Sequence, residues 1–209
     1  MHTVGMGEVR ALARRERLRF AELLAGLSDE QWQSPSLCSE WTVRDVAHHA
    51  VAYLDQSVVG LSLNMIRARG NVDVLNARLL DGCAAVTPSD LVDSMRRNAE
   101  PSGAAGLYGG RVALIECVIH RQDIGRPLGL DAVVAEDALR VSLNFARISP
   151  VIGRARRTRG VRLVASDMDW AAGRGPEVRG PGAALLLTMT GRVEAVRDEL
   201  TGAGVAGVR

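Results

Sequence analysis

In ALIECVIHRQDIGRPLG, residues 113–129, a carboxylate stands one helical turn before a histidine inside an apolar run. Glu116 and His120 are four apart, so on a helix they project to one side. Val112, Ile115, Val118 and Ile119 around them predict that much of this helix is buried. An ionised carboxylate in such surroundings costs on the order of several kcal/mol unless a cation or good hydrogen-bond donors compensate it. The compensating group is an arginine, a protonated histidine or a metal ion.

A second helix offers a partner. In WTVRDVAHHAVAYLD, residues 41–55, Val46, His49, Ala50 and Tyr53 fall at i, i+3, i+4 and i+7 on one apolar face. His48 is rotated from His49 by about 100°. It shares its side with Asp45, Ala52 and Asp55 and is expected to look outward, which leaves His49 aimed at the core. Two inward imidazoles and one inward carboxylate make three protein ligands, a set that zinc and similar divalent ions accept with a fourth position open for water or substrate. The alternative is a buried salt bridge between Glu116 and ordinary core histidines, and spacing alone leaves both open. Asp123, one turn beyond His120, either orients that imidazole as an acceptor behind the ligand or pairs with Arg126 and ends the helix.

The elements that must position these residues read as helices joined by loops. Leucines at helical spacing predict an amphipathic helix over 7–27. Thr42, Asp45, Trp41 and Val46 carry the cap and staple signals of a helix that could run unbroken to Gly70. TPSD opens a third, with Thr87 as cap and Pro88 at the first position, ending before Pro101. The fourth runs from about Arg111 to about Ile124, and a fifth, AVVAEDALRVSLNFARI, stops before Pro150. After Arg159 the texture changes: GVRLVASDMDW is strand-like, AAGRGPEVRGPG turn-rich, and AALLLTMTGRVEAVRDEL helical again. The expected fold is mainly α, a helical bundle over 1–150 followed by a small C-terminal α+β domain over 160–209.

Composition narrows the partners. The 209 residues are 47% apolar, enough for a core, and the net charge is only +2, too small a field to argue by itself for nucleic acid or an anionic membrane. All 26 basic residues are arginine, which fits a GC-rich coding bias better than a ligand's demand. There is no long apolar run, and the charged N-terminal stretch lacks the greasy segment of a signal peptide, so cytoplasmic location is expected. Cys38, Cys83 and Cys117 lie far apart without CxxC spacing and are read as reduced thiols. Cys117 turns off the Glu116 face and reads as a small buried apolar residue. The basic run RARRTRG, 154–160, lacks interleaved aromatics and reads as a solvated linker.

LSDEQWQSPSLCSEWTVRDVAHHAV resembles the N-terminal signature of the DinB-like, mycothiol-dependent maleylpyruvate isomerase family. RVALIECVIHRQDIGRPLG resembles its second metal-binding segment, and the tail LVASDMDWAAGRGPEVRGPGAALLLTMTGR its small C-terminal domain. The resemblance implies a DinB-like four-helix bundle with a divalent ion, usually zinc, held by the histidine eight residues after the tryptophan and by a Glu and a His four apart: His49, Glu116 and His120. It further implies mycothiol as cofactor, its thiolate favoured by the metal, and a small electrophile as substrate. Members with these ligands include isomerases, thiol S-transferases and proteins of no established activity. Arg179 and Arg192, in EVRG and TGR, are candidate contacts to an anionic substrate, or simply partners of acids. A monomer or homodimer without nucleic-acid or membrane partners completes the expectation.

Overall fold

Helix α1 (Met6–Ala25) buries Val9, Leu12, Ala13, Phe20, Ala21 and Leu24 along one stripe, and with them the charged Glu16 and Arg17. The computed structural model describes residues 5–54, 56–80, 85–149 and 157–208. The side chain of Tyr53, and Asp55, Cys83, Pro150 and residues 154–156 of the basic run, lie outside that description. A single turn, α2 (Asp29–Trp32), is capped by Ser28 and buries Trp32. Helix α3 (Val43–Leu54) starts where expected: the Thr42 N–H donates to Asp45 Oδ2 at 2.9 Å, and the Asp45 N–H donates to Thr42 Oγ1 at 3.2 Å.

The helix expected to continue to Gly70 instead breaks after Leu54. The Gln56 carbonyl is taken by the Ala104 N–H at 2.9 Å, and the Ser57 hydroxyl, accepting from the Gly60 N–H at 3.0 Å, caps a separate α4 (Val58–Arg67). Gly103 must be glycine here, because a Cβ would sit 2.5 Å from the Gln56 oxygen. Gly70 (φ +74) then turns the chain into α5 (Val72–Leu79), which the sequence reading did not anticipate. Helix α6 (Pro88–Arg97) carries the expected Thr87 cap, and α7 (Arg111–Gly125) follows a left-handed turn at Tyr108, Gly109 and Gly110. Helices α1 and α3 each pack against both α6 and α7, which makes the four-helix bundle.

Two compact units divide the described chain, residues 1–132 and 133–209. Helix α8 (Glu136–Ile148) lies in the second of these units, where its apolar face packs on α9 (Gly182–Met189). That unit also holds a three-stranded sheet of order β2-β1-β3, built from β1 (Arg162–Ala165), β2 (Ala171–Gly173) and β3 (Glu177–Gly180). Strand β1 runs antiparallel to β2 and parallel to β3. The turn-rich stretch therefore contains two strands, held by pairing to β1 rather than by propensity. The closing helix stops at Met189, Gly191 (φ +91) breaks it, and a 3-10 turn spans Val193–Glu199. The mainly helical bundle with a small α+β part is the architecture expected. Among the described residues no helix is long and apolar enough to cross a membrane.

The Thr42–Asp45 box sets the first turn of the helix that carries His49. Thr42→Ala is expected to destabilise the protein by about 1 kcal/mol. Urea unfolding followed by circular dichroism should show a lower midpoint with an unchanged slope.

Candidate metal centre

Helix α7 buries residues on nearly every side, Val112, Ile115, Val118, Ile119 and Ile124 among them. Into this apolar setting it places Glu116, His120 and Asp123, successive members of one face. Helix α3 contributes His49 from the opposite wall. The Nε2 atoms of both imidazoles face the same carboxylate oxygen, Glu116 Oε2, His120 at 3.1 Å and His49 at 3.8 Å. The two rings meet edge to face with centroids 5.1 Å apart, and Trp41 lies 5.1 Å from His49 on its other side. Behind His120, Nδ1 stands 2.9 Å from Asp123 Oδ2, and the Cys38 thiol donates to that same oxygen at 3.2 Å.

Both histidine side chains are only 6% exposed and Asp123 is fully buried, whereas Glu116 retains 19%. Burial by itself would raise the Glu116 pKa, but hydrogen bonds from His120 and His49 outweigh it and hold the carboxyl well below the usual range. Burial would likewise lower His120, and its hydrogen bonds with Asp123, Cys38 and Glu116 push it well above an ordinary histidine instead. With both carboxylates ionised, the ring between them can donate to both only as the imidazolium.

The donor set meets the demands of a divalent ion. His49, Glu116 and His120 each bring a ligand atom within 4.8 Å of the others. Donors about 2.0–2.1 Å from a tetrahedral zinc lie about 3.3 Å apart, which the observed 3.1 and 3.8 Å bracket. Asp123 accepts from Nδ1, the hydrogen bond that turns a ligand imidazole's Nε2 lone pair toward a metal. A second group, Cys38, His120 and Asp123, also converges within 4.8 Å, but there Nδ1 and Asp123 are already engaged with each other.

Sequence reasoning did less well on the surroundings. His48 does not look outward: it is 8% exposed, because α3 has neighbours in α2, α5, α6 and α7 and residues 46–51 are all buried. Burial lowers its pKa, and its Nδ1 has no hydrogen-bond partner among the described residues. It still takes no place in the cluster. Asp123 turns inward onto His120, while Arg126 Nε donates to Gln122 Oε1 at 2.7 Å. Cys117 is fully buried, its thiol pushed up to about 12 by that burial. The Cys38 contact to Asp123 spans 85 positions, and no spacing signal marks it. Arg179 and Arg192 belong to the second unit: Arg179 reaches Glu177 at 3.5 Å, and Arg192 Nη1 donates to the Thr190 carbonyl at 2.8 Å.

Residues 13–73 match the family model of the mycothiol maleylpyruvate isomerase N-terminal domain. That match contains the first of the motif segments, residues 27–51. A crystal structure of the mycothiol-dependent maleylpyruvate isomerase superposes with a TM-score of 0.61 at 18% identity, covering 97% of this chain and 96% of that one. A mutant of that isomerase with one histidine replaced by alanine superposes at 0.56, with the same identity and coverage. No curated protein matches.

The coupled pair makes a pH prediction for protein stripped of metal. His120 is raised in the fold, so its contribution is full below about pH 6.5, its unfolded value, and is lost as pH rises through the folded one. Glu116 is depressed, so its contribution is full above about 4.5 and is lost as pH falls through its folded value. Between pH 6 and pH 10 the urea midpoint of the stripped wild type should therefore fall more than that of His120→Gln. Parallel curves for the two proteins would contradict the imidazolium bridge.

Proposed function

We propose that this protein is a divalent-metal-dependent enzyme that brings a low-molecular-weight thiol, mycothiol, to a small electrophile, in the manner of a maleylpyruvate isomerase. His49, Glu116 and His120 hold the ion, most suitably zinc. The observation that carries this reading is the convergence of three ligand atoms from two helices, with the far nitrogen of one imidazole already committed to a carboxylate. The family match over 13–73 and the fold likeness to a mycothiol-dependent isomerase support it.

A divalent ion held here supplies Lewis acidity, favouring the thiolate of a bound thiol at neutral pH. The chain's own residues do the rest. Asp123 keeps the proton on His120 Nδ1 and so keeps Nε2 available. Trp41 packs on the His49 ring and limits its rotation. Glu116, the most exposed of the three ligands, marks the side from which thiol and substrate enter. Cys117 takes no part, because its buried thiol stays protonated at neutral pH.

The deciding experiment supplies zinc-loaded protein with mycothiol and either maleylpyruvate or a panel of electrophiles, following isomerisation and thiol consumption together. Isomerisation without net thiol loss supports the isomerase-like reading. Stoichiometric loss of thiol into a conjugate makes the protein an S-transferase, and absence of turnover with metal bound makes it a binding protein.

Two expectations concern the ligands themselves. Zinc titration against a competing chelator should show one site per chain that survives His48→Ala and is lost in His49→Ala, Glu116→Ala and His120→Ala. Asp123→Asn should weaken it by about 10- to 100-fold. With cobalt(II) in place of zinc, mycothiol should add a sulfur-to-cobalt band in the near ultraviolet that persists in Cys38→Ser and Cys117→Ser. A band present before any thiol is added, and lost in a cysteine variant, would mean the protein closes the site with its own sulfur.

A further inference from the structure

We propose that the second unit binds a small organic polycarboxylate in a cavity ringed by Arg147, Arg159 and Arg174. The cavity measures about 230 Å3, and among the described residues no aspartate or glutamate lines it. Among the described residues none of the three arginines forms a hydrogen bond or an ion pair. That is unusual within this unit, where Arg140, Arg162, Arg179 and Arg197 each reach a glutamate.

The backbone holds two of these arginines together. Gly173 pairs with Arg162 across the β1–β2 ladder, and a Cβ on it would stand 2.3 Å from the Val161 carbonyl oxygen. Gly175 approaches Gly160 as closely, a Cβ there standing 2.0 Å from the Gly160 oxygen. Only glycine permits both contacts, and φ values of +90° and +124° require it as well. Arg174 sits between these two glycines and Arg159 precedes Gly160, so their attachment points are fixed on adjoining stretches of main chain. Arg147, near the end of α8, completes the ring. Three exposed arginines lining one hollow, with no acid beside them among the described residues, give it a positive potential that favours an anion.

The lining selects the kind of anion. Val161, Leu163 and Met189 give the cavity an apolar wall, which suits a hydrocarbon body better than an inorganic ion. Guanidinium forks accept carboxylates in a bidentate manner, so two or three carboxylates on a body of a few carbons match both the charge and the volume. This inference does not rest on the metal centre.

Isothermal titration at fixed ionic strength with tricarballylate, a weak chelator, tests it, with sodium sulfate and heparin as comparison anions. Wild-type protein should bind one tricarballylate per chain, saturably, and equally well in Glu116→Ala, where the metal centre is destroyed. Arg159→Gln and Arg174→Gln should each weaken binding by about tenfold or more. Ala172→Phe keeps every charge while filling the cavity, and should remove tricarballylate binding without changing retention on heparin. The proposal is overturned if wild type shows no saturable tricarballylate binding, if sulfate binds as well, if only heparin binds, or if both arginine variants bind like wild type.

Discussion

Helix α7 carries three charged side chains and a histidine through the interior of the bundle, and the placement of its neighbours follows from the need to compensate them. Glu116 draws His49 from α3 and His120 from its own next turn. Asp123 draws the Cys38 thiol, and its carbonyl accepts from the Leu37 N–H at 3.0 Å, which ties the loop before α3 to the end of α7. On another side Arg121 Nη1 reaches Glu16 Oε2 of α1 at 2.6 Å, both groups buried. Gln122 Nε2 donates to the Ala132 carbonyl and holds the segment that leaves the helix. Removing a partner from one of the charged pairs weakens the compensation of a buried charge, which costs more than the pair itself contributes. The contacts together favour one rotation of α7 relative to its neighbours.

That arrangement explains how much could be read in advance. Glu116 and His120 are legible because four residues bring them to one helical face, and His49 because apolar neighbours at helical spacing mark its side as inward. The cap at Thr42 is legible because its signal is local. His48 is a different case. Its neighbours Asp45, Ala52 and Asp55 argue for a solvent face, but α3 is enclosed on several sides, and enclosure depends on α5, a helix whose own sequence gave little sign of it. The break after Leu54 likewise depends on the Ala104 N–H capturing the Gln56 carbonyl from 48 positions away, a tertiary event that overrides propensity. Strands β2 and β3 are held by pairing to β1, β3 also by its bridge to Thr201, and α8 packs its apolar face on α9 within the second unit.

The centre is also graded from inside to outside. Asp123 is sealed, the two imidazoles are nearly so, and Glu116 keeps a fifth of its side chain in contact with solvent. A buried acceptor behind His120 and a partly open carboxylate in front of it make a cluster that is rigid at the back and reachable at the front. The T-shaped contact of the two imidazoles, with Trp41 tilted against His49, stiffens the side walls without adding charge.

His120 stands between two carboxylates, and with both ionised the ring satisfies Asp123 from Nδ1 and Glu116 from Nε2 only as the imidazolium. In the proposed centre a divalent ion held by His49, Glu116 and His120 would need the Nε2 lone pair, so the ion and the Nε2 proton would be alternatives, while the proton on Nδ1 would stay with Asp123 in either case. An ion there would supply the positive charge that Glu116 otherwise receives from the ring. Asp123 would thus serve both cases with one hydrogen bond, and only the Glu116 side of the ring would differ between them.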